Sequence, residues 1–179
     1  MVTTVALVLA ALFGAGDQYL GSFSMHPWMA DVSLVSAPWL VLAFLAGWTQ
    51  REPRRAALLG AACTLSALIG YGVMTLSRVE NAHPSVAAVA AVIRSESEVL
   101  IGGVVAGPLF AWFGQRWRVR GAWRGALATA AALCFEPLAR IPTGHAIRSS
   151  TVLLAEVAVG IAMMTYVATR MLLRPTAVE

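Results

Sequence analysis

The sequence predicts an all-α fold: a polytopic membrane bundle of six transmembrane helices with both termini in the cytoplasm. Three observations carry this. The 179 residues are 59% hydrophobic and 12% charged, about half the charge of an ordinary globular domain. Apolar stretches of about 20 residues, each long enough to cross a bilayer as a helix, recur along the chain. The 13 basic residues, all Arg, gather in a few connections, as expected of a topology signal.

The elements follow in order. Residues 4–20 form the first apolar stretch. No Arg precedes it and no small-x-small cleavage site follows before Asp17. It therefore reads as an uncleaved first span and not a signal peptide. Further spans are expected at 33–50, 55–77, 97–115, 122–140 and 150–172. They make residues 1–179 one integral membrane domain, with no separate module and no usable internal repeat. The long connection 78–97 has an Ala/Val-rich middle that suits a short helix lying at the interface. Nine Arg, at 51, 54, 55, 116, 118, 120, 124, 170 and 174, fall on one side. Four, at 78, 94, 140 and 148, fall on the other. The richer side is the cytoplasmic one by the positive-inside rule. Trp48, Trp112, Trp117 and Trp123 fall at the inner boundary, and Trp28 and Trp39 near the outer one, as an aromatic belt would place them.

This clustering accounts for the basic balance without nucleic acid. Cys63 and Cys134 lie in different apolar segments and read as small buried hydrophobes. No CxxC, HExxH or helically spaced His pair is present, so no metal and no cofactor is expected. The expected partners are the lipid bilayer and an apolar small molecule, with a homo-oligomer as a further candidate.

The acids are distributed unevenly. Glu52 is cytoplasmic and Glu179 is C-terminal, whereas Asp17, Asp31, Glu80, Glu96, Glu98, Glu136 and Glu156 all fall outside or in the outer half, with His26, His83 and His145. Acids within spans are costly and usually face a bundle interior. Asp17 ends the first span and Glu98 opens the fourth. Glu136 lies near the outer end of the fifth. Glu156 lies about 9 Å into the sixth, at 1.5 Å per residue. Arg94 precedes Glu98 by four residues and Arg140 follows Glu136 by four, spacings that also permit structural ion pairs on one helix face. Asp17 and Glu156 have no such local partner. Asp17 is flanked by Gly14, Gly16 and Gly21, which leave room beside it; solvation beyond the helix end is the plainer reading. Gln18, Tyr19, Trp28, Trp39, Tyr71 and Phe135, with Arg140, are candidates to line a mostly apolar pocket with acids at one end. Pro108 and Pro137 are expected to bend their spans.

Two patterns carry little. "IGYGVMT" contains the Gly-Tyr-Gly of potassium-channel filters, but it lies inside an ordinary span. Ala6/Ala10 and Ala11/Ala15 are small-xxx-small pairs that permit close helix packing.

Three functional classes remain. An acid at the end of an aromatic pocket is the equipment of metal-independent, class II-type terpene cyclisation. The acid protonates an alkene or epoxide, and aromatic faces stabilise the cation. Asp17 is the first choice as proton donor. Glu98 and Glu136 would orient it or take the final proton, and Glu156 is a rival donor. The segments "GAGDQYLGS", "SAPWLVLAFLAGW", "VVAGPLFAWFGQRWR" and "ALCFEPLAR" resemble those of an actinobacterial family of small six-span membrane proteins. In size and layout the chain is also similar to small membrane-bound terpene cyclases of bacterial indole-sesquiterpenoid pathways. That similarity implies cyclisation of a prenylated or epoxidised substrate. The second class is a substrate-binding subunit: the chain resembles the S-component of energy-coupling factor importers, a resemblance that would make Ala6/Ala10 a partner-facing pair. The third is a structural or accessory membrane protein.

Overall fold

A computed structural model describes residues 2–22, 27–77, 85–140 and 149–173. Among these residues the chain forms eight α-helices and no strand. They are α1 (Val2–Gly21), α2 (Pro27–Leu34), α3 (Ala37–Trp48), α4 (Pro53–Thr75), α5 (Val86–Ser95), α6 (Ser97–Arg120), α7 (Trp123–Arg140) and α8 (Ser150–Leu172).

Local chemistry sets several ends. Pro53 starts α4 behind an extended Glu52, where a missing N–H costs nothing. The Ser85 hydroxyl accepts from the Ala88 N–H at 3.1 Å and caps α5. Gly121 ends α6 in the left-handed region at φ 58°. Its N–H reaches the Trp117 carbonyl and that of Ala122 the Arg116 carbonyl, a Schellman stop that turns the chain into α7.

Four helices are long and apolar enough to cross a membrane: α1, α4, α6 and α8. The expected span at 33–50 is instead a broken pair, α2 and α3, bent by 49° at Val35–Ser36. Taken as one crossing, it makes a fifth. The element expected at 122–140 is present as α7, but Arg124, Glu136 and Arg140 within its 18 residues keep it out of that group. The connection 78–97 contains the expected short helix, α5, with no buried residue. Leu12, Leu58, Ile69, Val73, Val105 and Leu154 are all more than 60% exposed. Such continuous apolar surface is costly in water and suits lipid.

The interior is built on close backbone approach. α4 is central, packing on α1, α3 and α6, while α7 and α8 form a second pair. A Cβ on Gly14 would lie 1.9 Å from the Ala67 carbonyl oxygen, and one on Gly47 1.8 Å from that of Ala111. With Gly70 against Ala11 in the same way, α1 and α4 run antiparallel at near backbone contact. In lipid, where apolar burial offers little between helices, such packing holds the bundle. Ala10 is fully buried in this seam and Ala6 packs beside it. The small-xxx-small pair therefore serves the chain's own interior. Gly70-Tyr71-Gly72 lies inside continuous α4.

Candidate functional site

Two cavities flank the α2–α3 break, and buried Val35 lines both. The larger, about 800 Å³, lies between α3, α4 and α6 beneath α5. Its walls are mostly aliphatic, with Asp17, Trp39, Tyr71 and Glu96 among the polar or aromatic lining. The second, about 740 Å³, is lined by α2, α3, α7 and α8, including Trp28 and the buried Glu156.

Asp17 is positioned by its own helix. Phe13 and Asp17 are four residues apart and so share a face of α1. The Phe13 ring meets Trp39 of α3 edge to face at 5.3 Å. The Trp39 indole, which can only donate, lines the same cavity as the Asp17 carboxylate. Successive turns of α1 thus bring a ring contact to Trp39 and a carboxylate to the cavity that Trp39 lines. Glycines keep part of the cavity open. Gly72 and Gly102 line it, and a Cβ on either would meet nothing within 4 Å. The glycines beside Asp17 behave differently from expectation. Gly14 leaves no room, because it is filled by the Ala67 backbone, and Gly21 faces the Ser33 hydroxyl; Gly16 alone is open.

Among the described side chains the acids are divided between sites. Asp17 and Glu96 line the larger cavity and Glu156 the second. Glu136 instead accepts a hydrogen bond from the Ser36 N–H at 2.5 Å. Ser36 is the N-cap of α3 and gives no side-chain cap of its own, so α7 supplies the negative group that α3's N-terminus favours. Asp31, 4% exposed, accepts from the Ser149 N–H at 2.6 Å, tying α2 to the start of α8. These two carboxylates hold the broken pair from both sides. Glu98 lies in the first turn of α6 and Arg94 near the end of α5, separated by the break at Glu96. They are therefore not one helix's i,i+4 pair. The side chains of Glu98 and Arg140 lie outside the described residues, as do Glu80, His26, His83 and His145.

Among the expected pocket residues, Trp39 and Tyr71 line the larger cavity and Trp28 the second. Tyr19 and Phe135 are 43% and 62% exposed, and they and Gln18 line neither. Sequence reasoning missed Glu96 in favour of Glu98, and missed the roof. Val89, Val92 and Ile93 of α5 line the cavity at i, i+3, i+4 spacing, a stripe legible in the sequence. It also gave Asp31 no role, since nothing local marks its partner 118 residues away. Among the described residues no three His, Cys, Asp or Glu form a metal-ligating group.

No protein-family model, no curated protein and no solved structure matches the chain. Its reading therefore rests on its own geometry.

Proposed function

We propose that the protein is a membrane-embedded, acid-initiated cyclase of an apolar isoprenoid-type substrate, with Asp17 as proton donor. The observation that supports this is the larger cavity: about 800 Å³, ample for one drug-sized or prenylated molecule, and lined by a carboxyl, Asp17, together with the Trp39 indole. The Asp17 O–H bond breaks as the alkene π pair takes the proton, forming a C–H bond and a carbocation. A second alkene closes the ring on that cation, beside the Trp39 and Tyr71 faces. Loss of a ring proton to Glu96 or water completes an isomerisation, and Asp17 regains a proton from solvent. The Trp39 N–H stabilises the carboxylate while its proton is away. An epoxide takes the proton on oxygen and retains it as hydroxyl.

The importer reading loses one of its supports, because Ala6 and Ala10 pack within the α1–α4 seam; the chain's size and layout apply to it as before. The topology that accompanies the proposal has six crossings, counting α2–α3 as one and α7 as another, with both termini cytoplasmic. In a background lacking Cys63 and Cys134, Arg54→Cys should label only after permeabilisation and Ser85→Cys in intact cells. The reverse pattern inverts the topology.

The function is tested in membranes fed prenylated and epoxidised substrates in heavy water. An alkene should give an isomer carrying one deuterium on carbon, and an epoxide an isomer without that label. Asp17→Asn should abolish both. If compounds bind and are recovered unchanged, the cavity is a binding site and the cyclase reading fails.

A further inference from the structure

The tertiary structure gathers basic residues from several segments at one end of the bundle. Arg51, Arg54 and Arg55 lie at the α3–α4 connection and the first turn of α4. Arg116, Arg118 and Arg120 end α6, Arg124 opens α7 and Arg170 ends α8. Tethers hold these segments together. Gln115 Nε2 donates to the Arg51 carbonyl at 2.6 Å. One Arg118 nitrogen donates to the Trp48 and Thr49 carbonyls at 2.9 and 2.8 Å. Val167 of α8 is buried in a cluster with Phe44 and Ala126, against which Phe113 and Trp117 pack.

The charge of this end is scarcely compensated. The one acid there among the described residues is Glu52, held by Arg55 at 2.9 Å. Arg51, Arg54 and Arg120 are exposed, with no hydrogen bond or ion pair from their side chains among the described residues. Aromatic rings underlie the rest. Arg116, Arg118 and Arg124 lie over Trp112, Trp48 and Trp123 at 4.6, 5.0 and 5.8 Å. Trp48 and Trp123 are themselves 45% and 37% exposed. Indole rings favour the depth of lipid headgroups. A guanidinium stacked on a ring keeps its in-plane N–H fork, the geometry that matches phosphate. The rings and the guanidinium groups therefore call for a ligand that is apolar on one side and anionic on the other.

We infer that this end is a collar that retains anionic glycerophospholipids. Arg51, Arg54 and Arg120 meet the phosphate, and Trp48 and Trp123 meet the glycerol and the upper acyl chain. The inference does not depend on the cyclase reading or on which leaflet the collar faces.

The test is native mass spectrometry of the full chain released from bilayers of equal phosphatidylglycerol and phosphatidylcholine. Both lipids carry a phosphate, but only the first is net anionic. Phosphatidylglycerol should dominate the retained lipid. Since each basic residue near a charged surface contributes about fivefold to binding, Arg51→Gln/Arg54→Gln/Arg120→Gln should lower that preference by tenfold or more. Arg54→Gln should lower it by about fivefold, whereas Arg94→Gln, which removes one exposed charge from α5 at the opposite end, should leave it unchanged. This matched pair decides the matter even if the triple variant does not fold. Equal retention of the two lipids overturns the inference, as does an equal loss in Arg54→Gln and Arg94→Gln. Displacement of phosphatidylglycerol by millimolar inorganic phosphate also overturns it, in favour of a free-phosphate site.

Discussion

Replacing Gly14 with alanine tests the packing that positions Asp17. The added Cβ would sit 1.9 Å from the Ala67 carbonyl oxygen, against an ordinary contact of at least 3.4 Å. The helices must separate by about 1.5 Å to relieve this, because the obstacle is backbone and cannot change rotamer. Along the same seam the Ser66 hydroxyl donates to the Leu7 carbonyl at 2.9 Å, and separation weakens that bond. Overpacking of this kind costs about 1–3 kcal/mol, and the lost hydrogen bond adds about 0.5–1 kcal/mol. At about 2–4 °C per kcal/mol for a chain of this size, Gly14→Ala should melt about 3–16 °C lower. The internal control lies two residues on. A Cβ at Gly16 meets nothing within 4 Å, so Gly16→Ala should be neutral or gain up to about 1 kcal/mol from helix propensity. Thermal unfolding in detergent, followed by fluorescence-detected size exclusion, measures both. Equal melting temperatures for the two variants would refute the reasoning. So would rescue of Gly14→Ala by Ala67→Gly, because the clash is with the Ala67 backbone and not its side chain.

Three further outcomes are expected. Gly102→Leu should fill part of the larger cavity without a clash, abolishing ligand binding or turnover while the melting temperature holds; unchanged binding would place the ligand elsewhere. Asp31→Ala strips a buried acceptor from the Ser149 N–H and should cost about 1.5–3 kcal/mol, with Asp31→Asn milder because it keeps a carbonyl acceptor; equal losses from the two variants in thermal unfolding would deny the hydrogen bond its role. Arg118→Gln removes two donors from the carbonyls that end α3 and, at an exposed site, should cost about 1 kcal/mol. Hydrogen exchange at Trp48 to Gln50 should rise with it, and unaltered exchange there would count against a capping role.

What the sequence determined by itself was everything with a short range. Apolar length fixed α1, α4, α6 and α8 as helices fit for a membrane, because a 20-residue apolar helix is a property of one segment. Composition likewise marked the short helix α5, and the Arg-rich turns were placed at one end before any contact was known. The tertiary structure alone decided which acids share a space. Glu136 and Asp31 looked like the other outer acids, but each accepts from a backbone N–H about a hundred residues away, at Ser36 and Ser149. No local pattern encodes such a partner. The same holds for Gly14, which in sequence read as empty space beside Asp17 and in the fold is occupied by the carbonyl of Ala67. The break at Val35–Ser36, which turns one apolar stretch into two helices and divides two cavities, was equally hidden. It persists because Glu136 of α7 accepts the Ser36 N–H that the break frees, a group that lipid would leave unpaired.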